Sequence, residues 1–383
     1  MTDGAEIVGH DPATGESLRL TVKGRVIAAI EPAAEETNTF LAPGLIDLQV
    51  NGYGGIDLND TGLTPDAVSD LCRSLATLGV TTFLPTIITA PEDRIIGALG
   101  RIAAARAADP LAAEMIAGIH VEGPSVSPED GPRGAHPLQF VRPPSIEEFD
   151  RWQAACDGLV AMVTLAPEHE GAHIYIDAVS QRGVHVAIGH SGASADQIHA
   201  AIAEGARLST HLGNGAAATL PRHPNLIWAQ LASDTLTATF IADGHHLPAD
   251  TFAAMVRAKG LDKAILVSDS VALAGLPAGV YEQPIGGKVE LSEDGRVSLA
   301  GTPYLAGAGL PLINTLPIAM RMAGLDLASA LRMATTNPGR FVGRTEGLKV
   351  GARADILRFR RPYDPQGPLD VVDVWSAGRR TAP

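Results

Sequence analysis

Only two cysteines, Cys72 and Cys156, occur in the 383 residues. Both fall in stretches whose apolar spacing reads as helix, so free core thiols in a reducing compartment are expected rather than a disulfide framework. Basic charge is scarce as well: 29 Lys and Arg stand against 43 Asp and Glu, a net charge of −14. No basic patch can dominate such a surface, which excludes nucleic acid as a general partner and leaves only a local spot for one anionic group. No apolar run is long enough to cross a bilayer, so a membrane is not an expected partner. The opening stretch "MTDGAEIVGHDPATGE" has neither a basic n-region nor an apolar h-region; no secretory signal is expected, and the cytoplasm is. Internal repeats are missing, and so is any G-x-G-x-x-G opening a helix after the first strand, the mark of a dinucleotide-binding open sheet.

Apolar residues are plentiful at 45%, enough for one large α/β core plus a smaller domain. The first 40 residues read as short strands, "AEIVGHD", "ESLRLTVKG" and "RVIAAIEP", with alternating polarity between turn residues. The tail repeats that rhythm in "ADILRFRRP" and "VVDVWSAGRR", separated by a "YDPQGP" turn. Between the ends, short apolar strands alternate with amphipathic helices. The strands are "LIDLQV", "TTFLPT", "EMIAGIHVEG", "LVAMVTLAPE", "VHVAIGH", "ARLSTH", "TATFIAD" and "KAILVSD". Helices are expected at "TPDAVSDLCRSLATLG", "PEDRIIGALGRIAAARAAD", "SIEEFDRWQAAC", "SADQIHAAIAEG" and "PADTFAAMVRAKG". Eight strands alternating with helices imply right-handed crossovers and a parallel sheet. The expected fold is α/β: a (β/α)8 TIM-like barrel over residues 44–345. A small β-sandwich built from residues 1–43 and 346–383 completes it.

Catalytic groups of such barrels sit at the C-terminal ends of strands. There the chain places Glu122 ("HVEGP"), His190 ("IGHSGAS"), His211 ("STHLGNG"), Asp243 and His246 ("IADGHH"), and Asp269 ("LVSDS"). Singly, each has an ordinary explanation, as a hydrogen-bonded histidine or a helix-capping aspartate. Together, one carboxylate and two imidazoles converging on one rim make a three-ligand site with an open position, the arrangement of catalytic zinc.

The motifs "PGLIDLQVNGYGGIDLND", "HVEGPSVSPEDGPRGAH", "IGHSGAS", "STHLGNG", "RHPNLI", "IADGHH" and "LVSDS" occur in order from about residue 42 to 345. As a set they resemble the amidohydrolase superfamily and, within it, the N-acetylglucosamine-6-phosphate deacetylases. The segment "DLQVNG" is informative here, because superfamily members often carry His-x-His at that place. Deacetylases with His-x-His bind two metals and those with Gln-x-Asn retain one; Gln49-Val50-Asn51 resembles the second group. The resemblance implies one divalent ion per chain, zinc before iron, manganese or cobalt, held by Glu122, His190 and His211. Gln49 and Asn51 would hydrogen-bond the attacking water or the substrate.

By the same resemblance, Asp269 is the proton shuttle, first base and then acid. His136 and His246 match substrate-contacting positions, whereas His120 is expected to pack beside its strand. Phosphate recognition falls to Asn214, Gly215 and Arg222, the arginine reaching over from a neighbouring subunit, which implies a homodimer. The expected substrate is a small molecule, an N-acetyl amino-sugar phosphate. The sequence departs from the family around Gly213, in the "AAATLPRHP" loop, and at Thr302 and Pro303, all in the sugar and phosphate shell. An amidohydrolase acting on another N-acyl sugar or amide therefore stays open. So does a non-catalytic binding protein on the same scaffold.

Overall fold

A computed structural model of the chain describes residues 4–35, 37–283, 287–302, 305–361 and 367–382. The "YDPQGP" turn falls largely outside them, and Pro303 falls wholly outside. The N-terminal strands are β1 (Ala5–His10), β2 (Ser17–Lys23), β3 (Val26–Pro32) and β4 (Thr39–Pro43). The barrel follows with β5 (Leu45–Val50), a small hairpin of β6 (Gly52–Tyr53) and β7 (Ile56–Asp57), then β8 (Val80–Ile88), β9 (Ile119–Glu122), β10 (Val160–Leu165), β11 (His185–Ile188), β12 (Ala206–Ser209), β13 (Thr237–Ile241) and β14 (Ala264–Val267). After β14 come β15 (Gly279–Gln283), β16 (Gly287–Leu291), β17 (Arg296–Leu299) and β18 (Leu305–Ala308). The chain closes on β19 (Ile356–Arg360), β20 (Asp370–Ser376) and β21 (Arg379–Ala382).

The eight expected barrel strands form one parallel sheet, in the order β14-β13-β12-β11-β10-β9-β8-β5. β5 is buried at every position, as a strand packed on both faces must be. The sheet closes where β5 meets the end of β14: Asp269 N donates to Gln49 O at 3.0 Å, and Asn51 N donates to Ser270 O at 2.9 Å. Asp47 joins the same two strands, accepting at 3.2 Å from Ser268 N and at 3.3 Å from Gln49 N.

Both chain ends enter a second, seven-stranded sheet ordered β21-β20-β19-β4-β1-β2-β3. That sheet rolls over its own core of Ile7, Leu20, Val22, Ile27, Leu41 and Ile356. Its far edge returns to the segment before β19, with Ile27 N donating to Ala352 O at 2.9 Å and Ala354 N to Arg25 O at 2.8 Å.

Two expectations need correcting, and one sheet is additional to them. "EMIAGIHVEG" is not one strand: Pro110–Met115 is a short helix, with proline in its first turn and the Asp109 carboxylate accepting from Leu111 N at 2.7 Å, the usual helix-start chemistry. "VVDVWSAGRR" is split into β20 and β21 by a turn at Ala377 (φ 48°) and Gly378. The four-stranded antiparallel sheet β15–β18 is absent from the sequence reading altogether. Its strands are short, and the glycine-rich stretch carries no long period to betray them. The two cysteines are free and buried.

Candidate active site

Strand ends bring the chemistry together at one rim of the barrel. Glu122 is the last residue of β9, while His190, His211 and Asp269 each lie two residues beyond β11, β12 and β14. These last three hold left-handed backbone angles, φ 50°, 28° and 50°, which side chains with a Cβ rarely adopt and which concentrate at functional sites. Glycines make room beside them. An added Cβ at Gly123 (φ 85°) would lie 2.2 Å from Thr89 Oγ1, and at Gly215 (φ 56°) 2.8 Å from His190 Nδ1.

At the centre, His211 Nε2 lies 3.1 Å from Glu122 Oε1 and His190 Nε2 3.4 Å from the same oxygen; the two nitrogens are 3.1 Å apart. Ligand atoms arranged tetrahedrally around zinc at bond lengths near 2.0–2.1 Å stand about 3.3 Å from one another. The trio therefore fits one divalent cation in spacing as well as in donor type. The tautomer also suits: His190 Nδ1 donates to Pro132 O at 2.9 Å, which leaves Nε2 with its lone pair. His136 stands on the other side of the carboxylate, its Nε2 4.0 Å from Glu122 Oε2 and its Nδ1 2.7 Å from Thr89 Oγ1. Glu122, His136 and His190 also bring ligand atoms within 4.8 Å of one another. We favour His211 over His136 as third ligand, because His211 and His190 meet on the same carboxylate oxygen.

Charge in this pocket is set by burial and by neighbours. Burial resists ionisation of Glu122, yet His190 and His211 hold its carboxyl well below the ordinary carboxylate range. Burial likewise works against charge on His190, and the Glu122 carboxylate overcomes it and raises the imidazole. Burial first, then His190, drive His136 down to about 3, so it stays neutral. Asp269 is pushed up to about 6, by burial first and by the Glu122 charge second, which suits a group that must both take and return a proton near neutrality.

The two amides of "DLQVNG" take up positions around this set. Gln49 Nε2 donates to Glu122 Oε1 at 2.9 Å, and Asn51 Nδ2 donates to Asp269 Oδ1 at 2.7 Å. His120 is used up elsewhere, its ring nitrogens 3.2 Å from Leu48 O and 2.7 Å from Thr164 Oγ1. His246 Nδ1 is 2.7 Å from Asp243 Oδ2, and Asp243 Oδ1 accepts from the backbone of both His245 and His246 at 2.9 Å. That pair fixes the imidazole at the wall of a cavity of about 280 Å³. Asn51, Glu122, His136, His190, His211, Asn214, Gly215 and Asp269 share the cavity. Among its described lining residues there is neither lysine nor arginine, and Arg222 lies on an exposed loop outside it.

Several contributors escape a sequence reading. Asn59 lines the cavity and ties the loop after β7 to the end of β8, accepting from Ile88 N at 2.9 Å and donating to Thr86 O at 3.2 Å. Glu168, in "LAPE", clamps the loop after His190 by accepting from Ser191 Oγ at 2.8 Å and Gly192 N at 2.7 Å. Asn59 lies inside a quoted motif and Glu168 at the end of a quoted strand, but nothing in residue type or spacing distinguishes either from a surface polar group.

The sequence profile of the amidohydrolase family matches residues 40–380. The chain belongs to the amidohydrolase family, in its N-acetylglucosamine-6-phosphate deacetylase branch. It is 33% identical over 370 residues to the N-acetylgalactosamine-6-phosphate deacetylase of Escherichia coli O157:H7, covering 94% of each chain. With the N-acetylglucosamine-6-phosphate deacetylase of Vibrio furnissii it shares 32% identity over 342 residues, 88% of this chain and 82% of the other. A solved structure of N-acetyl-D-glucosamine-6-phosphate deacetylase from Mycobacterium smegmatis, a variant in complex with N-acetyl-D-glucosamine 6-phosphate, superposes with a TM-score of 0.87. It is 28% identical, and the match covers 99% of this amidohydrolase and all of that chain.

Proposed function

We propose that this chain is a metal-dependent deacetylase that hydrolyses the acetamide of N-acetylglucosamine 6-phosphate to glucosamine 6-phosphate and acetate. The observation that carries the reading is Asp269: a buried carboxyl near pKa 6, hydrogen-bonded to Asn51, beside a trio with the spacing of a cation site. Relatives at about 32% identity over most of the chain bear deacetylase names.

The resident cation in this reading is zinc, one per chain, held by Glu122, His190 and His211. Bound there it would supply Lewis acidity, which makes water a better nucleophile and the acyl carbon a better electrophile. This chain's residues do the rest. Asp269 takes a proton from the attacking water as the water oxygen bonds to the carbonyl carbon. It then gives the proton to the amide nitrogen, so that the C–N bond breaks with an amine rather than an amide anion as leaving group. Asn51 holds Asp269 in place, and Gln49 holds Glu122. His136, kept neutral, and His246, held by Asp243, contact the substrate.

The sugar phosphate needs a positive partner that the described cavity wall lacks. We assign it to the backbone of Asn214 and Gly215 together with Arg222 of a second copy, in a homodimer. Supporting this, Arg222 is exposed and forms no ion pair among the described residues, and Trp228, six residues on, is 55% exposed. Buried free thiols fit work in the cytoplasm. A panel of N-acetylglucosamine 6-phosphate, N-acetylgalactosamine 6-phosphate and both free sugars tests the reading. Acetate should appear chiefly from a phosphorylated sugar; equal turnover of free and phosphorylated sugars would remove the phosphate from the assignment.

A further inference from the structure

The sheet β15–β18 gives the active-site cavity a second face unlike the first. Val271, Leu273, Val289, Leu299, Leu305 and Ala306 line it, and none offers a side-chain hydrogen bond. The face is well built. Val289 and Leu299 are register partners on β16 and β17, and Leu273, Val289, Leu291 and Val297 form a buried cluster on which Val271, Leu299 and Ala306 pack.

It is also continuous with the proposed base. Val271 N donates to Ala308 O at 3.1 Å, and Ala308 N to Asp269 O at 3.4 Å, so the apolar wall begins two residues from Asp269. In an N-acyl substrate the acyl chain is bonded to the very carbon under attack, whereas the phosphate end lies farthest from it. The part of the substrate nearest this wall is thus the acyl group; Leu273 and Val289 back the wall, and the part-exposed Val271, Leu299, Leu305 and Ala306 present more apolar area than a single methyl can cover.

We propose that the wall formed by Val271, Leu273, Val289, Leu299, Leu305 and Ala306 is an acyl subsite that accepts N-acyl chains longer than acetyl. This rests on the deacylation reading above and widens its substrate class to short-chain N-acyl amino-sugar phosphates. The bond changes are those of any amide hydrolysis: the water oxygen joins the acyl carbon, the C–N bond breaks, and one water proton goes to the amine. Burying one further methylene is worth about a fourfold gain in binding.

The test is a series of N-acetyl-, N-propionyl- and N-butyryl-glucosamine 6-phosphate with the zinc-loaded enzyme, together with Leu299→Ser and Leu305→Ser. The subsite predicts that KM falls by up to about fourfold per added methylene. It also predicts that either serine variant lowers the propionyl-to-acetyl ratio of kcat/KM, whatever its absolute activity. A tenfold or greater drop in kcat/KM from acetyl to propionyl overturns the subsite and leaves the deacetylase reading standing. A ratio unchanged by both variants overturns it too, because the wall would then act only as packing. Hydrolysis of no member of the series overturns both readings.

Discussion

The side-chain amide of Gln49 donates to Glu122 Oε1 at 2.9 Å, the same oxygen on which His190 and His211 converge. The Gln49 amide nitrogen is therefore spent on that carboxylate, and the Asn51 amide nitrogen is spent in the same way on Asp269. The amide oxygens of the two residues are poorer ligands for zinc than the two imidazoles of His-x-His, so the residues of "DLQVNG" offer a second cation no strong donor. Elemental analysis of the purified protein should find close to one divalent ion per chain. Two tightly bound ions would contradict the arrangement.

Removing the donor should loosen the cation. Gln49→Leu leaves a buried carboxylate oxygen without one of its partners, and changes of this kind around metal ligands typically cost 10–100-fold in affinity or activity. Competition with a chelator measures it; an unchanged dissociation constant would mean that Gln49 serves only packing.

Asp269 and His211 should separate by what they lose. Asp269→Asn keeps the trio intact, so it should retain metal while activity falls by roughly a hundredfold or more. His211→Ala should lose metal and activity together. For the native enzyme, Asp269 acts as a base only when deprotonated, so kcat/KM should fall as pH drops through about 6. A bound cation pulls the limb further to the acid side. An acid limb lying above pH 7, or full activity in Asp269→Asn, would exclude Asp269 as the proton shuttle.

Much of this arrangement is legible in the sequence because catalytic barrels put their chemistry at strand ends, where a polar residue interrupts an apolar run. Glu122, His190, His211 and Asp269 all follow such runs, and the structure brings them within one cavity. Three kinds of information resist that reading. A residue such as Glu168 acts through a loop contact between distant segments, which no local pattern encodes. The apolar wall of β15–β18 comes from strands too short to show a period. Arg222 lies outside the cavity of its own chain, and no pattern in the sequence says what an exposed loop arginine meets.

If Arg222 does meet the phosphate, Arg222→Ala should raise KM for the sugar phosphate far more than for the free sugar. Charge-assisted contacts are typically worth roughly 1.5–3 kcal/mol, about ten- to a hundredfold in kcat/KM, and added salt should shrink the difference. Equal effects on both substrates would make Arg222 structural.

Asp47 offers a test of stability. Burial, more than any neighbour, raises its carboxyl from 3.8 to about 7. The folded state thus holds a proton that the unfolded chain gives up near 3.8. This contribution is complete below that value and is lost as pH rises through about 7. Asp47→Asn keeps an oxygen for the Ser268 and Gln49 amides without a titration. Its Tm relative to the native protein should therefore climb between pH 5 and 8. Parallel Tm curves over that range would show that Asp47 is not protonated in the fold.

The central claim is that one cation and Asp269 together hydrolyse an N-acetyl amino-sugar phosphate. The most direct measurement strips the protein of metal and reloads it with zinc in known steps. Acetate and free amine released from N-acetylglucosamine 6-phosphate are then quantified at each step. The account predicts equal amounts of the two products and a rate that rises linearly and levels off at one zinc per chain. No acetate at any loading, or a rate that climbs until two ions are bound, would contradict it.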